Sequence, residues 1–106
     1  GKKLTLELGG KSAFVVFEDA DLDAAVEGLV DSIWFNQGEV CCAGSRLLVQ
    51  AKVADKLHSK IKKRIQKLRL GLPLDKSTDL GSLVSQTQYQ RVDQMVQQGL
   101  QQGGEL

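Results

Sequence analysis

A chain of 106 residues can form one domain with a modest core, burying somewhat more than roughly 60% of its unfolded surface, but not two domains. Hydrophobic residues at 42% and charged residues at 25% are ordinary globular values that argue against disorder and against a membrane protein. With 14 basic and 13 acidic residues the net charge is +1, so charge provides no reason to expect nucleic acid as a partner.

Gly1-Lys2-Lys3 leads straight into Leu4-Thr5-Leu6-Glu7-Leu8, which alternates apolar and polar with a period of two. This predicts a strand rather than a signal peptide, with Leu4, Leu6 and Leu8 on one face and Glu7 on the other. Gly9-Gly10 predicts a tight bend. Ser12 to Phe17 follows as a continuous apolar run, the pattern of a strand buried on both faces of a parallel sheet.

Glu18-Asp19-Ala20-Asp21 supplies N-cap candidates and negative charge, both favoured at a helix N-terminus. Leu22, Ala25, Val26, Leu29, Val30, Ile33 and Trp34 then recur at three- and four-residue spacing, predicting an amphipathic helix that runs to about Phe35. Asn36-Gln37-Gly38 is its expected stop.

The loop Gly38-Glu39-Val40-Cys41-Cys42-Ala43-Gly44-Ser45 holds the only two cysteines. Adjacent cysteines cannot staple distant segments, so free thiols in a reducing compartment are expected. His58 is the lone histidine, which leaves too few soft ligands for a zinc site.

Arg46 to Gln50 predicts a short strand, and residues 52 to 68 a helix with Val53, Leu57, Ile61, Ile65 and Leu68 on one face. Its other face carries Lys56, Lys60, Lys63 and Lys67, ordinarily a solvated face, with an anionic partner surface as the second possibility. Gly71, Pro73, Asp75, Asp79 and Gly81 mark residues 69 to 84 as a loop. Ser85-Gln86-Thr87-Gln88 fits a capping box and opens a third helix, with Tyr89, Val92, Met95, Val96 and Leu100 as its stripe.

This order predicts an α/β layer structure, three or four mostly parallel strands with helices on the faces. A sheet that small, with Glu105-Leu106 resembling the first step of a strand, suggests a piece of a larger protein.

Several motifs fail on spacing. Gly10-Lys11-Ser12 matches the end of a P-loop, but Thr5 stands where that motif needs glycine, and no G-x-G-x-x-G follows a strand. A Cys-His-Asp triad would have to recruit His58 from a lysine-flanked helix, with nothing specific in the spacing.

Cys41 with Glu7 remains. A thiol is a weak nucleophile until ionised, and Arg46 is the nearest cation that could favour the thiolate. A carboxylate near a thioester could activate water as a general base. From pattern alone the pair competes with a surface glutamate and a buried structural cysteine.

Leu6-Glu7-Leu8-Gly9-Gly10-Lys11-Ser12 resembles the glutamate signature of the aldehyde dehydrogenase superfamily. Phe35-Asn36-Gln37-Gly38 with Val40-Cys41-Cys42-Ala43-Gly44-Ser45-Arg46 resembles its cysteine signature, in the right order and with Glu7 and Cys41 34 residues apart. The likeness extends to Asp19-Ala20-Asp21, Pro73-Leu74-Asp75 and Asp79-Leu80-Gly81.

The resemblance implies that Cys41 is the nucleophile, that Glu7 is the general base, and that the Cys41 N–H helps to hold the oxyanion. It implies NAD or NADP as cofactor, with Leu8 and Gly9 near the nicotinamide, and an aldehyde as substrate. Residues 1–106 then make a single fragment of the catalytic domain, inactive alone. The cofactor fold, the asparagine completing the oxyanion hole and a ribose-binding glutamate lie in regions outside it.

The parent is expected to be a cytoplasmic homo-oligomer, with the mitochondrion as the alternative compartment. No nucleic acid and no membrane span are expected.

Departures from the family pattern stand at Ala13-Phe14, where Pro-Asn is common, and at Glu39, Leu72 and Ser82. Phe14 continues an apolar strand. Glu39 puts a negative charge two residues from Cys41, which disfavours a thiolate if the two are close. A non-catalytic scaffold that retains the fold is therefore the alternative to an enzyme.

Overall fold

The computed structural model describes residues 1–106. Strand β1 (Ala13–Val16) leads through helix α1 (Leu22–Trp34) to strand β2 (Arg46–Val49), then to helix α2 (Ala51–Ile65) and helix α3 (Gln86–Gln101). β1 and β2 pair in parallel, with Ala13 opposite Arg46 and Val16 opposite Val49. The α/β architecture is the expected one, but the sheet has two strands rather than three or four.

The strand expected at 4–8 does not form. Alternation creates a potential face, but a strand exists only when a neighbour completes its hydrogen-bond ladder. No other strand lies beside this segment, so Leu4, Leu6 and Leu8 stay exposed at 79%, 62% and 72%. No turn forms at Gly9-Gly10, where one was expected; the left-handed residue of this segment is Lys11, whose φ is +75°.

α1 begins where its residues dictate. The Asp21 carboxylate accepts from the backbone N–H groups of Asp23 (2.9 Å) and Ala24 (3.3 Å), satisfying two of the donors a helix start leaves unpaired. Its stripe buries Leu22, Val26, Leu29 and Val30. α2 presents Leu57 and Ile61 to that stripe, and these residues with Val16 form the core.

Three ion pairs edge this layer: Glu18–Lys52 at 2.7 Å, Asp23–Lys60, and Glu27–Arg64 at 2.9 Å. They are solvent-exposed and secondary to the apolar contact. Lys60, on the face expected to be solvated or to meet an anionic partner, belongs to one of them.

Only one face of the sheet is covered. Val16 is buried and Phe14 packs against the core, while Val15 and Leu48 on the opposite face are 52% and 50% exposed. Burial of β1 on both faces is therefore not achieved within this chain. α3 starts as expected, with Ser85 Oγ accepting from the Gln88 N–H at 3.1 Å; the reciprocal half of the capping box is not made. None of its residues is buried.

The surface measures 8795 Å², whereas a self-contained globule of 11.6 kDa exposes about 5,800 Å². Folding hides only about half of the unfolded surface, short of the roughly 60% expected. The radius of gyration is 16.1 Å, against about 13 Å for a compact chain of this length. No helix is long and apolar enough to cross a membrane.

Leu57, 1% exposed, is the keystone between α1 and α2. Leu57→Ala should destabilise the chain by about 2–5 kcal/mol in denaturant unfolding, because transfer and cavity costs add. His58→Ala, on the exposed side of the same helix, should stay within about 0.5 kcal/mol.

Candidate functional site

Two parallel strands begin at the same end of their sheet, so the segments leading into them are brought side by side. Here those segments are Glu7 to Ser12 before β1 and Cys41 to Ser45 before β2. The Arg46 N–H donates to the Ser12 carbonyl at 3.2 Å, extending the ladder one step beyond the strands. A Cβ on Gly10 would lie 2.8 Å from the Cys41 carbonyl oxygen, so only glycine permits this approach.

The cysteine loop is built from the end of α1. Asn36, Gln37 and Gly38 take φ values of +50°, +58° and +77°, reversing the chain directly after the helix. Glycine adopts this conformation freely and asparagine tolerates it, whereas glutamine is strained there. The turn is held by Asn36 Nδ2 donating to Glu39 O at 3.2 Å and Glu39 N–H donating to Asn36 O at 3.0 Å. The Gln37 side-chain amide lies 3.0 Å from both Asn36 O and Gly81 N, and with its nitrogen toward the carbonyl it satisfies both.

The Ala43 N–H then donates to Val40 O at 3.1 Å, closing a turn whose two central residues are Cys41 and Cys42. Ala43 is buried and fixes the turn to the body of the protein. Gly44 donates to Ser32 O at 3.0 Å, and a Cβ there would come within 2.8 Å of Ser32 Oγ and 3.3 Å of Phe14 Cβ. Phe14, a departure from the family pattern, is thus accommodated against Gly44 and against Gly28, where a Cβ would meet its ring at 3.7 Å.

Both thiols are free and exposed at the tip of the turn. Cys41 is not the buried structural cysteine that pattern alone left open. Its backbone N–H is not committed to any hydrogen bond within the chain. Glu7 is exposed and makes no hydrogen bond or ion pair, and the chain three residues beyond it, at Gly10, rests against Cys41. Leu8 is 72% exposed, and a Cβ on Gly9 would meet nothing within 4 Å, so this edge is bare.

Glu39 is half-buried without an ion pair. Arg46, the cation nearest the thiol in sequence, makes its one side-chain hydrogen bond elsewhere. Its Nε donates to the Lys11 carbonyl at 2.8 Å. His58 lies exposed on α2 and is no part of this cluster.

The loop expected at 69–84 is present, but its contact with Gln37 and its internal clamp were not foreseen. Residues 69–81 fold back on themselves through a lone parallel bridge between Leu70 and Leu80. A fork of Arg69 to Asp79 closes the loop, with contacts of 3.0 and 3.2 Å, while the Arg69 N–H adds a third bond at 2.9 Å. Donation by the Arg69 side chain and then its backbone lowers the Asp79 pKa from 3.8 to about 2. The nearest signal was Asp79-Leu80-Gly81 itself, which gives no hint of its partner.

By fold, the chain is a parallel β–α–β unit with further helices, part of the α/β class. Its sequence matches the family model described as the aldehyde dehydrogenase family over residues 1–106. It is 46% identical over 102 residues to an aldehyde dehydrogenase of Emericella nidulans, covering 96% of this chain and 20% of that protein. The NAD-dependent aldehyde dehydrogenase of Sinorhizobium meliloti superposes with a TM-score of 0.91 at 39% identity, over 93% of this chain and 20% of the other. Betaine aldehyde dehydrogenase of Staphylococcus aureus, solved in complex with NAD+, gives 0.89 at 34% identity, over 92% and 19%. The chain belongs to the aldehyde dehydrogenase family, and it spans about one fifth of the length of these relatives.

Two outcomes test this geometry. Because folding lowers the Asp79 pKa, the Arg69–Asp79 clamp contributes its full stability above pH 3.8 and loses it as pH falls toward about 2. The Asp79 carboxyl should therefore titrate near 2 by NMR, and Arg69→Gln should return its midpoint toward 3.8. Gly10→Ala should displace the Glu7 segment from Cys41, visible as amide shifts in both loops with the α1–α2 core signals unchanged.

Proposed function

We propose that this chain is the front part of the catalytic domain of an NAD(P)-dependent aldehyde dehydrogenase, with Cys41 as nucleophile and Glu7 as general base. The observation that carries the proposal is the seating of Gly10 against the Cys41 carbonyl, which sets the glutamate-bearing segment beside the exposed thiol turn. Membership of the family supports the reaction class, and the S. aureus relative solved with NAD+ supports the cofactor.

In this mechanism the Cys41 thiolate attacks the aldehyde carbon, forming a C–S bond while the carbonyl electron pair moves to oxygen. The Cys41 N–H donates to that oxygen. NAD(P), when bound, would supply the acceptor for the hydride lost from the C–H bond of the adduct carbon, which leaves a thioester on Cys41. Glu7 then takes a proton from water, the hydroxide adds to the thioester carbon, and the C–S bond breaks to release a carboxylic acid. Leu8 and Gly9 fit the flat ring of the cofactor, because bare backbone at Gly9 lets it approach without a side-chain clash.

Because 106 residues span a fifth of the relatives' length, most of the substrate tunnel belongs to other segments of the parent. The excess surface and the uncovered apolar residues Val15, Leu48 and Met95 support a larger parent in which the cofactor domain lies outside this fragment. A cytoplasmic homo-oligomer is part of the same proposal.

Expressed as the full-length parent, the protein should form NAD(P)H in the presence of aldehyde, and Cys41→Ala should abolish this. Glu7→Gln should slow thioester hydrolysis by about 10²- to 10⁴-fold while a first burst of product persists. Retention of activity by Cys41→Ala would remove the proposal.

A further inference from the structure

The two catalytic loops are held unequally. The cysteine loop is tied down by bonds to Ser32, Asn36 and Val40 and by the buried side chain of Ala43. The glutamate segment has almost nothing: of residues 1–11, only Lys11 makes a hydrogen bond, and its partner is the Arg46 side chain. Lys11 also carries the segment's one left-handed conformation, φ +75°, which a lysine does not prefer. The peptide that this conformation aims is the one whose carbonyl Arg46 Nε captures at 2.8 Å.

We infer that Arg46 is a positioning residue for the proposed reaction: it holds Lys11 in its left-handed conformation and so sets where Glu7 lies relative to Cys41. Its own place is secure, because its backbone opens β2 opposite Ala13 and its N–H donates to Ser12 O. One residue thus ends the cysteine loop by its main chain and holds the glutamate loop by its side chain. The inference rests on the function proposed above.

The test uses the full-length parent and an activated ester, p-nitrophenyl acetate, without cofactor. Cys41 displaces nitrophenolate in a burst and becomes acetylated; water then releases acetate and the free thiol in the steady phase. Wild type and Glu7→Gln are measured first. Failure of Glu7→Gln to slow the steady phase counts against the proposed function itself.

Once Glu7→Gln slows the steady phase, Arg46→Gln should keep the burst amplitude and slow that phase on the order of 10- to 100-fold, as misplacing a base by about 1 Å does. Arg46→Lys, which can still donate to the Lys11 carbonyl, should recover much of the loss. Combined with Glu7→Gln, Arg46→Gln should add no further slowing, since it acts through Glu7. Loss of the burst, an unchanged steady phase, or additive slowing in the double variant would each overturn the inference.

Discussion

The parallel pairing of β1 with β2 is the constraint on which the rest depends. Parallel strands start at a common end, and with Ala13 opposite Arg46 the residues just upstream of each strand must be neighbours. Shifting the register would flip the inward residues Phe14 and Val16 outward and would also slide the Glu7 segment along the cysteine loop. The core and the site are therefore specified by the same ladder. Burial of Val16 against Leu57 and Ile61 makes that register worth keeping.

α1 has a second task beyond covering the sheet. Its last turn ends in the left-handed run Asn36-Gln37-Gly38, and its Ser32 carbonyl accepts from Gly44, so the loop between them begins and ends on the same helix. A short, doubly anchored loop can hold a thiol at its tip without burying it. The strain at Gln37 is offset by the amide contacts its side chain makes to Asn36 and Gly81, which also join the loop 69–81 to the site.

The uncovered surfaces follow from the same economy of contact. Val15, Leu48 and the stripe of α3 are apolar surface that no element of these 106 residues packs against. Apart from α3, whose backbone hydrogen bonds are its own, the elements that form are those whose partners lie nearby in sequence. β1, α1, β2 and α2 need only each other, whereas Leu4, Leu6 and Leu8 have the alternation of a strand and no neighbour to pair with.

Local pattern alone determined the helices, their caps at Asp21 and Ser85, the stop at Asn36-Gln37-Gly38 and the two paired strands, because periodicity and capping act within a few residues. The aldehyde dehydrogenase resemblance was legible for a similar reason, since each signature is a contiguous run. What lies between runs was not. That Gly10 packs under Cys41, that Lys11 rather than a glycine takes the left-handed conformation, that Arg46 reaches the Lys11 carbonyl, and that Arg69 grips Asp79 were decided by the tertiary structure. Each depends on which backbone atoms a parallel crossover or a folded loop places within hydrogen-bonding or van der Waals distance, and one-dimensional spacing does not contain that distance.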